Sequence, residues 1–214
     1  MGSEMCIRDR SQINPHFLYN TLDSIIWMIQ SKKYEGAGKM VSMLAKFFRI
    51  SLSQGKDIIP LQKELEHAVS YLSIQNVRFQ DKFTFTVDWD EKLADCLCPK
   101  LVIQPLLENA VYHGMEGMYE DGEIQLKIYA INELVHIDVI DNGEGMTEAQ
   151  VQKMMQGDVV SSKRGSGIGV KNVNDRIKLY FGEAYGVQII SAPDEGTTAR
   201  IYFPMRRQED ETEK

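Results

Sequence analysis

The hydrophobic positions along the chain change period once, and that change divides it. From Leu18 the apolar residues recur at helical spacing, through Leu22, Ile25, Ile26 and Ile29. Asn14 is a good N-cap for this run, and Pro15 suits the first helical position, where its missing N–H costs nothing. Gly36 and Gly38 punctuate, and a second periodic run follows over Val41, Leu44, Phe47, Phe48 and Leu52. After Gly55 a third helix is predicted to start near Pro60, with Leu61, Leu65, Ala68, Tyr71 and Leu72 on one side and Arg78 near its end. The first two runs make an antiparallel helical hairpin. Such hairpins commonly pair with a second copy into a four-helix bundle.

At Lys82 the period shortens. Phe83-Thr84-Phe85-Thr86-Val87 is rich in aromatic and β-branched residues and reads as a strand. Pro99 to Tyr112 returns to helix, with Pro105 placing a turn or kink inside it. Ile124 to Ile131 and Leu134 to Ile140 alternate as strands around a turn at Asn132-Glu133. A short helix from Thr147 to Met155, a lid-like segment from Gly157 to Gly165 and a helix from Ile168 to Tyr180 follow. Val187 to Ala192 and Thr197 to Phe203 close the fold as a hairpin around Asp194-Glu195-Gly196. Strands with helices between them, not strictly alternating, indicate an α+β sandwich. The expected organisation is a helical region over 11–80, an α/β-sandwich domain over 81–204 and an acidic, disordered tail over 205–214.

Composition narrows the function. At 214 residues and 43% hydrophobic, the chain can bury a core and has room for two small domains. A formal net charge of -7 argues against nucleic acid, which wants clustered Lys and Arg. No apolar run approaches the roughly 20 residues that span a bilayer, so the chain reads as soluble. Of the three cysteines, Cys96 and Cys98 are too close for an ordinary disulfide and form a poor zinc signal. They read as reduced thiols near a strand end. Met1 to Arg10 shares no pattern with the rest of the chain, opens Met-Gly-Ser like an expression-vector scar, and is set aside with Cys6.

Three separated motifs in the second domain read together as a nucleotide pocket. Glu108-Asn109-Ala110 lies on the helix, Asp141-Asn142-Gly143-Glu144-Gly145 follows a strand, and Gly165-Ser166-Gly167-Ile168-Gly169 opens a helix. Glycines at a helix start let the backbone approach phosphate, where free N–H groups and the positive dipole end await it. Asp141 would read adenine by accepting from its exocyclic amine, with Gly143 and Gly145 baring backbone to the base. Asn109 offers a hard oxygen to Mg²⁺, which bridges phosphates and keeps most of its waters. Singly, each motif has a bland reading; Asp141-Asn142-Gly143 is also an ordinary tight turn.

These residues resemble the N, G1 and G2 boxes of the superfamily that joins gyrase, the heat-shock chaperone, histidine kinases and MutL, the GHKL or Bergerat ATP-binding fold. Gly196-Thr197 resembles its final glycine-threonine element, which implies that Thr197 lies near adenine. Gln12-Ile13-Asn14-Pro15-His16-Phe17-Leu18-Tyr19-Asn20-Thr21-Leu22 narrows the resemblance to the LytS/YesM-type sensor histidine kinases, as do Pro60-Leu61-x-x-Glu64-Leu65 and Gln104-Pro105-Leu106-x-Glu108-Asn109-Ala110. Asn172-Val173-x-x-Arg176 fits as well, and Asn20-Thr21-Leu22-Asp23-Ser24-Ile25 leans towards the YesM branch. The resemblance covers Ser11 to Pro204. It implies autophosphorylation of His16 from Mg-ATP and transfer to an aspartate on the receiver domain of a response regulator. A homodimer through the helical hairpin and a membrane-spanning parent, whose cytoplasmic part this chain would be, are implied too. The family's basic residue at position 112 is Tyr112 here, so Lys163, Arg164 or Lys171 is expected to take the phosphate contact.

A neutral imidazole is a nucleophile near pH 7, and a histidine in a first helical turn meets a dipole that disfavours imidazolium and favours phosphate. Asn20 lies one turn on, on the same face, placed to orient the phosphohistidine or a water. Phe17 stands where many kinase families carry an acid, so Glu108 is the candidate base. His67, His113 and His136 read as structural. Two other classes compete with a kinase: a module that binds ATP without transferring phosphate, favoured by Tyr112, and an ATPase of the same fold, which leaves Asn14-Pro15-His16 unexplained.

Overall fold

The computed structural model describes residues 15–52, 57–80, 82–114, 121–158 and 168–207. Asn14, Lys163, Arg164, Gly165 and Gly167 lie outside the described residues, as do most of the expected lid and tail.

Three helices come first: α1 (Pro15–Gln30), α2 (Tyr34–Ser51) and α3 (Leu61–Arg78). Pro15 opens α1 as its fixed φ suggests. Gly36 and Gly38 do not punctuate the chain; both lie inside α2. The reversal is made earlier, where Lys32 takes a left-handed φ of 59°. Each helical glycine costs about 1 kcal/mol relative to alanine. The buried face of Ala37, Met40, Leu44, Phe47 and Ile50 offsets that cost. The helices meet at an aromatic cluster, with Phe17 of α1 5.0 Å from Phe47 of α2 and 5.2 Å from Tyr71 of α3 between ring centroids.

Two short strands, β1 (Ile58–Pro60) and β3 (Leu97–Pro99), pair antiparallel beside the start of α3. Pro99 therefore ends a strand and does not open a helix. The main sheet holds β2 (Phe83–Trp89), β4 (Gly122–Ile131), β5 (Leu134–Asp141), β6 (Gly186–Ser191) and β7 (Thr197–Pro204). Its order is β2-β4-β5-β7-β6. β2 and β4 are parallel, so the chain between them must cross over, and the crossover carries α4 (Gln104–Asn109). The remaining pairs are antiparallel. Asn132 and Glu133 join β4 to β5 with φ of 49° and 61°, the left-handed pair that a tight two-residue hairpin requires.

Period-two alternation decides which face is covered. Ile124, Leu126 and Ile128, Val135, Ile137 and Val139, and Ala199, Ile201 and Phe203 are all buried. They share one core with Leu106 and Leu107 of α4 and with Val170, Val173 and Ile177 of α6 (Ile168–Phe181). α5 (Glu148–Gln156) is started by a Thr147–Gln150 capping box and stopped by Gly157 at φ 86°. The core continues without a break into the helical region, from Phe203 to Phe17. β1 and α3 lie upstream of residue 81, where the change of period sets the boundary, yet β1 pairs with β3 beyond it. The whole is an α+β fold of helices and a mixed sheet.

Candidate active site

Asp141 ends β5 in the middle of the sheet and is 8% exposed. Gly143 N–H donates to its Oδ1 at 3.0 Å, and the amide of Thr197, opposite it on β7, also holds the carboxylate. Burial opposes the charge that these donors favour, and burial wins: the pKa is raised to about 6. A buried carboxyl short of donors suits an exocyclic amine.

Two glycines around it hold the fold together. Gly145 sits at φ 66°, and a Cβ there would lie 1.9 Å from the Ala192 carbonyl oxygen. Gly196, at φ 77°, would put a Cβ 2.1 Å from the Asp141 carbonyl oxygen. The room a side chain at Gly145 would need is thus taken by the protein's own backbone, and the loops after β5 and before β7 are clasped together. Ser191, which sequence reasoning missed, is the hub of the clasp. Its hydroxyl accepts from Met146 N–H at 2.9 Å, donates to the Gly196 carbonyl at 2.8 Å and lies 2.9 Å from Thr197 Oγ1. A serine ending a strand carries no pattern that would have marked it.

Pro105 stands in the first turn of α4, so it starts the helix and does not kink it. α4 stops at Asn109, and the chain widens into a π-helical turn over Ala110–Gly114. Glu108 and Asn109 are half-buried side by side at this end. Glu108 Oε1 accepts from Gln104 Nε2 at 2.8 Å, and burial pushes its carboxyl above the ordinary range. Tyr112 faces α3: its hydroxyl accepts from Gln75 Nε2 at 3.2 Å and its ring meets Phe79 edge-on. Gly169 brings the start of α6 against α4, since a Cβ there would be 3.4 Å from Pro105 Cβ. Ile168, just before it, is 51% exposed. Lys171 is paired with Asp175 at 2.6 Å.

His16 lies half-buried in the first turn of α1, beside Phe17, which is sunk in the aromatic cluster. The Asn20 amide nitrogen is 2.6 Å from His16 Nδ1. The structure brings His16 and Asn20 together, whereas Glu108 is held by Gln104. His67 stacks on Phe47 with its Nε2 2.8 Å from Ser51 Oγ, and burial lowers its pKa to about 4. His136 stacks with Tyr129 and Tyr202 on the other face of the sheet. The side chain of His113 is outside the described residues. Cys96 and Cys98 are buried free thiols, both pushed up by burial.

Comparison with known proteins gives these features a family. Residues 9–83 match the family model described as histidine kinase, and residues 96–207 match that of the histidine kinase-, DNA gyrase B-, and HSP90-like ATPase. The sensor histidine kinase YesM of Bacillus subtilis (strain 168) is 39% identical over 199 residues, 93% of this chain and 33% of that protein. The sensor protein LytS of Bacillus anthracis is 32% identical over 203 residues, 94% of this chain and 34% of that protein. The chain therefore spans about a third of the length of these relatives. Among solved structures, the catalytic domain of histidine kinase ThkA superposes with a TM-score of 0.54 at 16% identity, covering 69% of this chain and 96% of that one. The mycobacterial sensor histidine kinase MprB gives 0.51 at 18%, covering 71% and 98%. These two structures share the fold. The chain belongs to the histidine kinase-, DNA gyrase B-, and HSP90-like ATPase family, and its first part matches the histidine kinase family model.

Proposed function

We propose that this chain is an ATP-dependent protein-histidine kinase that phosphorylates His16 and hands the phosphoryl group to an aspartate on the receiver domain of a response regulator. One observation carries the reading: a buried Asp141, framed by two clasped loops, shares a chain and a core with a helix that presents a histidine in its opening turn. The ATPase fold implies ATP binding, and the relatives are named a sensor histidine kinase and a sensor protein. Asp141 would accept from the adenine amine beside Gly143, Gly145 and Thr197. Gly165, Gly167, Ile168 and Gly169 would offer phosphates the amides of the α6 start, with Lys163 and Arg164 as cations beside them. Asn109 is the hard oxygen on the α4 end, and a half-buried amide next to a half-buried carboxylate fits Mg²⁺ that leans mainly on phosphates and waters. When bound, Mg²⁺ supplies neutralisation of charge on the transferring group.

The Asn20 amide nitrogen lies nearer to His16 Nδ1, at 2.6 Å, than to Nε2, at 3.4 Å, which favours Nε2 as the nitrogen that attacks. As placed, the amide donates to Nδ1, and the neutral ring then keeps its proton on Nε2. Turning the amide end for end presents its oxygen to Nδ1–H and gives Nε2 the lone pair. A bond from Nε2 to the γ-phosphorus then forms while the bond to the β-bridging oxygen breaks, and ADP leaves. Glu108, with its raised carboxyl, is the base for any proton that remains.

Dimerisation is supported by α1 itself. Tyr19, Leu22, Ile26 and Ile29 are between 41% and 66% exposed and recur three and four residues apart, an apolar stripe fit for a second copy. We place the phosphoacceptor and dimer region at 11–80 and the ATP-binding domain at 81–204, as the kinase region of a longer, membrane-spanning sensor. No helix among the described residues is long and apolar enough to cross a membrane.

Tyr112, held by Gln75 and Phe79, favours a second reading in which ATP is bound but not used. Incubation with Mg²⁺ and γ-labelled ATP separates the two. Acid-labile, base-stable label on the protein, absent from His16→Ala, is expected. ATP binding with no label would support the second reading.

A further inference from the structure

Two motifs have no part in the chemistry above, Pro60-Leu61-x-x-Glu64-Leu65 and Asn172-Val173-x-x-Arg176. The structure brings both to the same four residues, Lys100 to Ile103, which lead from β3 into α4. Glu64 reaches them from α3 and is fully buried at 0% exposure. Its Oε2 accepts from Leu101 N–H at 2.8 Å, and its Oε1 accepts from Val102 and Ile103 N–H at 2.8 and 2.9 Å. Such N–H groups at a helix entrance have no partner within the helix and need an acceptor from elsewhere. From the other side, Arg176 of α6 donates from Nη1 to the Lys100 carbonyl at 2.7 Å. Leu101 is meanwhile held at φ 59°, a conformation a leucine keeps only when its surroundings impose it.

We propose that Glu64 is a positioning residue for the nucleotide site, and that the Lys100–Ile103 loop is the joint through which α3 and α6 fix the placement of Glu108 and Asn109. α4 is only six residues long, so its far end lies about 9 Å from the joint, and a shift or tilt at the entrance reaches Asn109 almost undiminished. α3 also carries Tyr71, whose ring meets Phe17 next to His16, and Gln75, which holds Tyr112 just past Asn109. α6 starts where phosphate is expected. The joint is thus linked to the acceptor helix through α3, to Asn109 through the short α4, and to α6 through Arg176, about two turns from the end expected to meet phosphate. This inference rests on the proposed function.

A purely structural Glu64 would stabilise the fold and leave ligand selectivity alone, so selectivity is the readout. Wild type, Glu64→Gln and Asp141→Asn are titrated with ATP, with and without Mg²⁺, by calorimetry, at a temperature where circular dichroism shows each folded. The glutamine keeps one acceptor oxygen but turns an NH₂ group toward the Leu101 N–H. Glu64→Gln is expected to lose about tenfold in affinity when Mg²⁺ is present and to stay within about twofold of wild type without it, a selective loss of about 1.4 kcal/mol. Asp141→Asn should lose affinity in both conditions. An undiminished Mg²⁺-dependent gain in Glu64→Gln, or an equal loss with and without Mg²⁺, overturns the inference and leaves the proposed function standing. A wild type that binds no ATP overturns the proposed function, and the inference with it. Should Glu64→Gln fail to fold, Arg176→Ala is read by the same rule, with a selective loss of about threefold expected.

Discussion

Asp141 and His67 are pushed in opposite senses by the same cause. Burial raises Asp141 from 3.8 to about 6, so its neutral form stabilises the nucleotide-free protein below pH 3.8, and that stability is lost as pH rises through 6. Burial lowers His67 from 6.5 to about 4, so its contribution is present above pH 6.5 and is lost as pH falls through 4. Each shift is worth about 3 kcal/mol, and between pH 4 and 6 they offset each other. Asp141→Asn should therefore melt higher than wild type at pH 7.5 when no nucleotide is present, and lose stability more steeply than wild type on acidification below pH 6.5. Scanning calorimetry over that range checks both; a lower melting temperature at pH 7.5 would contradict the assignment. ATP affinity should fall by about ten- to a hundredfold in the variant, and in wild type should fall as pH drops below 6, because the amine needs an ionised acceptor. Asp141 was singled out in the sequence only because three motifs read together, since its own Asp-x-Gly-x-Gly setting is also an ordinary tight turn; its burial comes from the fold. Ser191 carried no pattern, and Glu64 stood out only as part of a family motif, because the donors it meets are 37 to 39 residues away and no local signal shows them.

Local chemistry decided most elements in advance. The short helix after Thr147, the turn at Asn132 and Glu133, and the alternating strands β4, β5 and β7 all form where the pattern places them. The failures share a cause, which is that tertiary contacts outweighed a weak local signal. Strands β1 and β3 have three residues each, too few for a period to show, and exist because they pair. α2 runs through two glycines because its buried face is strong. The exposed stripe on α1 makes a prediction of its own. Ile26→Glu should leave the stability of the monomer within about 0.5 kcal/mol of wild type, since Ile26 is 52% exposed, and should convert a dimer to monomer in light scattering. A wild type that is monomeric at all concentrations, or a variant that still dimerises, would remove α1 as the interface.

Across the whole molecule, one buried cluster joins the helices to the sheet, with Tyr71 among its largest members at 0% exposure. Tyr71→Ala should cost about 3–5 kcal/mol, and the far-ultraviolet signal of the helices and the near-ultraviolet signal of the sheet aromatics should move together. Two separate transitions would show that the helical region and the ATP domain unfold independently. The sheet order has a consequence for how the protein is made. The strand that completes the Asp141 pocket, β7, is the last strand described, yet it inserts between β5 and β6, and Thr197 closes on a residue that left the ribosome more than fifty positions earlier. On the proposed function, until translation has passed Pro204 the nascent chain would have the histidine that accepts phosphate and most of its glycines but nowhere to seat adenine. A message cut short before that point would then yield a polypeptide that carries His16 and cannot phosphorylate it.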